Sequence, residues 1–335
     1  LAGRSWIAPT YTGGAVVQLS SSGVWAQLHS GGGVAWNLNE FTFSDGSTAL
    51  FYIQSSSFIS GGLRPRPGAL YRSIDLGGTW TNVTPSSGLP EFAEDIAQDA
   101  NNDLWLVTDE RETHAAGDTG KPSRIYKSTD KGATWTLKHT SADSFIGRRF
   151  MIFNITCDPT DSLKIVAETA EMVGWGSQIT RSLDGGTTWS VITPTIPNPP
   201  AGPGNTAGVK QNVFNYTSNG SIIWAGSFED AIDDFFVLRS VDDGSTWTLQ
   251  YTEVIASEHS TGFVEANGVA YVASAASVFS TTPAVGAVTK IAADAIGASE
   301  LAADAVAEIA GAVWDIDATG HQTGGTFGQA IGDPV

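Results

Sequence analysis

Apolar and polar positions alternate in short runs along most of the chain. The apolar pair at 96–97 gives way to a polar turn at 99–102 and then to the apolar run 104–107. The same order returns at 153–155, 158–161 and 164–167, and again at 214–216, 218–220 and 222–224. Runs of this length, bounded by Asp, Asn, Gly and Pro, predict strands joined by tight turns. A third run follows each time, at 70–72, 125–127, 179–181 and 237–239, and each leads into the pattern S-x-D-x-G-x-T-W.

The pattern occurs in full at Ser73, Asp75, Gly77, Thr79 and Trp80; at Ser128, Asp130, Gly132, Thr134 and Trp135; at Ser182, Asp184, Gly186, Thr188 and Trp189; and at Ser240, Asp242, Gly244, Thr246 and Trp247. A worn copy runs from Ser20 to Trp25, and subtracting residue numbers puts the five tryptophans 55, 55, 54 and 58 residues apart. A fixed period of this kind marks a repeat architecture. Each copy sits between two strand-like runs and so predicts a hairpin: the Asp accepts N–H groups within the turn, Gly supplies positive φ, and Trp fills the apolar space between neighbouring sheets. Four strands per period is the blade of a β-propeller. The chain therefore reads as all-β, with four-stranded antiparallel blades over 1–283. Five blades are expected, the first completed by the runs at 262–266 and 268–274; six stay open because 277–282 can form a further strand.

The boxes resemble the Asp-box, or bacterial neuraminidase repeat, of sialidases, family 74 xyloglucanases, sortilin-type domains and photosystem assembly factors. That resemblance implies a propeller and leaves function open, since one scaffold hosts unrelated sites.

Composition changes the picture after Pro283. The chain becomes Ala-rich, and the unit at 291–296 is echoed at 301–306. Ser299 is a plausible N-cap for a helix to about Trp314 carrying Leu301, Val306, Ile309 and Val313 along one stripe. Residues 284–335 are thus expected to form a helical and Gly-rich assembly segment. The stretch 290–332 resembles segments of tailed-bacteriophage virion appendages, which implies a homotrimer, other virion proteins as partners and a place on the virion surface.

Charge narrows the partners. Lys and Arg total 17 against 35 acids, for a net charge of −18, which repels nucleic acid and anionic lipid. No apolar run reaches the ~18 residues of a membrane span. Cys157 is the sole cysteine, which excludes an intrachain disulfide. The chain opens on Leu1 without Met or a signal-type stretch, so processing or truncation is expected to have removed the true start.

Candidate chemistry lies in the segments that join second strands to third strands, or one blade to the next. They carry Arg64, Arg66, Asp109, Glu110, Arg148, Glu168, Trp175, Glu229 and Asp230, a candidate ligand-binding face. A sialidase needs an early Arg in an R-I-P context, which Arg64-Pro65-Arg66-Pro67 does not match. Trp36, Trp175 and Phe228 are candidates to stack on sugar rings. No histidine spacing fits a metal site, so no metal or cofactor is expected. The sequence thus favours a non-catalytic virion protein displaying a propeller to a host glycan or virion protein. A glycoside hydrolase on the same scaffold is the alternative, and a photosystem-type assembly factor a third reading.

Overall fold

The computed structural model describes residues 6–9, 15–19, 25–30, 34–55, 68–86, 92–109, 122–141, 150–171, 177–192, 209–228, 234–254, 260–266, 269–274, 278–281 and 288–291. The chain divides into two compact units, 1–289 and 290–335, and the expected C-terminal helix lies outside the described residues.

β1 (Trp6–Pro9), β2 (Ala15–Leu19) and β3 (Trp25–Ser30) form a three-stranded sheet. Four-stranded sheets follow. One contains β4 (Val34–Thr42), β5 (Thr48–Ser55), β6 (Ala69–Ser73) and β7 (Thr81–Asn82); the next contains β8 (Phe92–Gln98), β9 (Leu104–Asp109), β10 (Ser123–Ser128) and β11 (Thr136–Thr140). Then come β12 (Phe150–Cys157), β13 (Ile165–Glu171), β14 (Ser177–Ser182) and β15 (Ser190–Ile192), followed by β16 (Val209–Tyr216), β17 (Ile222–Phe228), β18 (Asp234–Ser240) and β19 (Thr248–Val254). A last sheet has β20 (Ser260–Ala266), β21 (Val269–Ser274), β22 (Val278–Thr281) and β23 (Val288–Ile291). Strands neighbour one another in chain order, and every registered pair is antiparallel. The expectation that the runs at 262–266 and 268–274 complete the first sheet is corrected: β20 and β21 pair onward with β22, the strand that the 277–282 run allowed.

The S-x-D-x-G-x-T-W pattern builds the turn between third and fourth strands. Ser73 Oγ donates to Asp75 Oδ1 at 2.7 Å and accepts from Gly77 N at 2.8 Å; Thr79 N and Oγ1 each donate to the Asp75 carboxylate at 2.8 Å. The same bonds recur around Asp130, Asp184 and Asp242. The glycine is needed twice over. Gly132 and Gly186 have φ of +78° and +83°, and a Cβ there would lie 2.5 Å from the rings of Phe51 and Trp105 in the preceding sheets. Turn tips also dock on the preceding sheet's first hairpin: Lys131 Nζ bonds Asp45 and Ser47, while Asp243 meets Lys164 at 3.2 Å with the charges exchanged.

Between sheets the core is apolar. Phe51, Ile53 and Leu70 meet Ile96, Leu104 and Leu106; Trp105, Val107 and Ile125 meet Ile152, Ile155 and Ile165; Val166 and Ile179 meet Phe214, Trp224 and Leu238. Trp135, Trp189 and Trp247 each pack into the interface between their own sheet and the one before. Burying one such side chain is worth roughly 1.5–3 kcal/mol, so the sheets are held face to face by these layers.

Candidate functional site

The two ends of the sheets differ. β9 begins at Leu104, opposite Ser128 of a turn motif, and finishes at Asp109, opposite Phe92 and Ser123. The motif turns therefore occupy one end, while second strands finish and first strands begin at the other. Near that second end every four-stranded sheet carries a register shift in its first strand: between Trp36 and Asn39, Ala93 and Asp95, Ile152 and Asn154, Lys210 and Val213, and Ser260 and Gly262. Bulges re-aim side chains and concentrate beside active sites.

Three consecutive bulges are polar and joined. Asn39 Nδ2 donates to Asn37 Oδ1 at 2.8 Å, Asn37 Nδ2 to Asp95 Oδ1 at 2.6 Å, and the Ile155 N–H to Asp95 Oδ2 at 2.9 Å. Asp95 thus ties β4, β8 and β12 together, and Asn37 adopts φ of 49° to reach it. On the far flank of the β12 bulge, Asn154 Nδ2 donates to Glu168 Oε2 at 2.7 Å. The sequence signal for these positions is polar residues set inside apolar strands, as in Asn37-Leu38-Asn39 and Glu94-Asp95.

Of the expected face, Arg64, Arg66, Glu110, Arg148, Trp175, Glu229 and Asp230 lie outside the described residues. Asp109 and Glu168 are not on connecting segments but within strands, because β9 and β13 stay paired on both sides as far as these residues. They are 0% and 1% exposed, and Glu94 is 2% exposed. Asp109 accepts from Ser123 Oγ at 3.4 Å, and that hydroxyl accepts from Ile152 N at 3.2 Å. The two carboxylates are not brought together. By strand alternation Asp109 shares a face with Trp105 and Val107, whereas Glu168 shares one with Val166, so they enter different inter-sheet layers. Among the described residues no group of three His, Cys, Asp or Glu gathers to hold a metal ion.

At the opposite end the turn aspartates are structural. Backbone and side-chain donors of Thr79, with Ser73, hold the Asp75 carboxyl down at about 2, and Thr188 with Ser182 does the same for Asp184 at about 2. For Asp130 and Asp242 burial pushes upward, but hydrogen bonds from Thr134 and Thr246 outweigh it and the net shift is down.

Five sheets of four antiparallel strands, stacked through apolar layers, fit a β-propeller. No family model matches the sequence. A xyloglucanase from Paenibacillus sp. is 24% identical over 206 residues, which is 53% of this chain and 18% of the xyloglucanase; the chain thus aligns with less than a fifth of that relative's length. A solved protein of unknown function from Dyadobacter fermentans DSM 18053 superposes with a TM-score of 0.52 at 14% identity, covering 82% of this chain and 81% of the other. An oligogalacturonate lyase in complex with manganese gives 0.51 at 12% identity, covering 86% and 73%. These two likenesses concern the fold alone. The expectation of a non-catalytic virion protein is corrected: the likeness in sequence runs to a carbohydrate-cleaving enzyme.

Proposed function

We propose that the chain is a carbohydrate-active enzyme, a glycoside hydrolase acting on a neutral glucan of the xyloglucan type. Its scaffold is a six-bladed propeller in which Asp-box turns close four of the blades. The observation that carries this reading is the 206-residue likeness to a xyloglucanase. Charge supports the neutral substrate, since a net charge of −18 opposes a polyanion such as oligogalacturonate and leaves a neutral chain unaffected.

The reaction end is that of the bulges. Glycoside hydrolysis needs one carboxylic acid to protonate the leaving oxygen and one carboxylate to activate water or attack. Asp109, Glu94 and Glu168 are too buried to touch a polymer. The reacting pair then comes from Glu110, Glu229 and Asp230, which directly follow the ends of β9 and β17 in sequence. Reducing-end release from xyloglucan is the test, with Glu110→Gln, Glu229→Gln and Asp230→Asn assayed singly. Two of the three variants should lose about 100-fold or more in rate. Undiminished release in all three would remove the assignment of the pair.

A further inference from the structure

The bulge of β8 is gripped from both neighbouring sheets. On the side of β4–β7 its backbone meets that of Gly68, just before β6: Gly68 N donates to Ala93 O at 3.0 Å and Ala93 N donates to Gly68 O at 2.6 Å. From the same sheet Asn37 donates to Asp95 Oδ1, which also accepts the Ile96 N–H at 2.9 Å. On the side of β12–β15, Asp95 Oδ2 accepts the Ile155 N–H. A bulge leaves backbone groups off the ladder, and both flanks of the β12 bulge find acceptors in the sheet of β8–β11. Ile155 donates to Asp95, and Ile152 donates to Ser123 Oγ, whose own proton goes to Asp109.

These bonds converge on one place. Asp95 stands opposite Val107, two residues before β9 finishes, and Phe92 stands opposite Asp109 itself. The bulge between Ala93 and Asp95 therefore sets which residue of β8 faces the end of β9, and the bonds from Ile152 and Ile155 set where β12 begins beside it. Position 95 calls for a carboxylate, because both oxygens must accept; an amide there turns an NH2 toward either Asn37 or Ile155. Asn37 takes its φ of 49° to make this bond, the kind of backbone strain that persists where the surroundings over-determine a site.

We propose that Asp95 is a positioning residue for the reaction: it holds the end of β9 and the start of β12 in fixed relation, and with them Glu110, the acid that follows β9 in sequence. Its effect is exerted through the two strands. The inference rests on the reading of the chain as a glycoside hydrolase whose reacting pair belongs to the bulge end. A reacting acid misplaced by about 1 Å costs on the order of 100-fold in rate, while the contacts that bind the polymer elsewhere are kept, so the loss falls on kcat and not on KM.

Three variants test this on xyloglucan, each assayed well below its own melting temperature. In Asp95→Asn kcat should fall about 10- to 100-fold with KM within about twofold. The double variant Asn37→Asp, Asp95→Asn moves the carboxylate to β4, where it accepts from the amide at 95 and from Asn39, while the amide oxygen at 95 still accepts from Ile155. Its kcat should return to within about fivefold of the unaltered chain. Asn37→Gly removes the tie to β4 at a position whose φ suits glycine, so it stays folded where Asp95→Asn does not, and its kcat should fall about tenfold. Unchanged kcat in folded Asp95→Asn overturns the role, as does unchanged kcat in Asn37→Gly if the first variant is unfolded. A loss that appears in KM with kcat held overturns it too, and so does a double variant that regains its melting temperature without regaining kcat. An unaltered chain that releases nothing removes the hydrolase reading and this role with it, whereas full activity in the variants removes the role alone.

Discussion

Trp135 is the odd member among the four motif tryptophans. Trp80, Trp189 and Trp247 donate Nε1–H to the carbonyls of Gly77, Gly186 and Gly244 at 3.1, 3.3 and 3.0 Å, whereas Trp135 Nε1 is buried with no acceptor. Replacing Trp by Phe at 247 therefore removes a bond, while at 135 it relieves an orphan donor. Trp135→Phe should cost less stability than Trp247→Phe by about 1–3 kcal/mol, read from denaturant midpoints. Equal losses would mean that the indole N–H plays no part in either turn. Glycine gives a second contrast. Gly46 and Gly186 both have positive φ, but a Cβ at 46 meets nothing within 4 Å while one at 186 collides with Trp105. Gly46→Ala should cost about 1–2 kcal/mol from φ alone, and Gly186→Ala about 2–5 kcal/mol once overpacking is added. Comparable melting of the two variants would show that Trp105 moves aside freely.

The motif hairpin is the element most legible in the sequence, since each pattern residue has a local task. Ser, Asp and Thr close the turn's hydrogen bonds, Gly takes the left-handed backbone, and Trp enters the layer. What the pattern did not convey is distance in space: nothing in Gly186 announces Trp105, which lies in another sheet. Nor did it convey the last sheet, whose β22 and β23 are joined without the motif. The element also sets an acid limit. Asp75 and Asp184 are held at about 2 against an ordinary 3.8. Their contribution is complete above the ordinary value and is lost as pH falls through about 2. Melting temperature should fall across that interval, and the Asp75→Asn, Asp184→Asn double variant should show a shallower acid slope than the unaltered chain. Identical slopes would place the acid sensitivity elsewhere.

For the whole molecule, the architecture was written in the repeats, but the reaction was not. The motif turns lie at the end away from the bulges, so the strongest sequence signal carries nothing about catalysis. The polar bulges that join β4, β8 and β12 arise from register, which no single stretch of sequence specifies. Asp109 and Glu168 looked like surface acids because each stands close to a polar connecting segment; pairing on both sides buries them instead. The central claim is that the chain hydrolyses a neutral glucan at the bulge end, and mass spectrometry of xyloglucan digested in heavy-oxygen water tests it most directly. The account predicts shorter oligosaccharides carrying one heavy oxygen at each new reducing end. Intact polymer after prolonged incubation, or unsaturated products without the label, would contradict it.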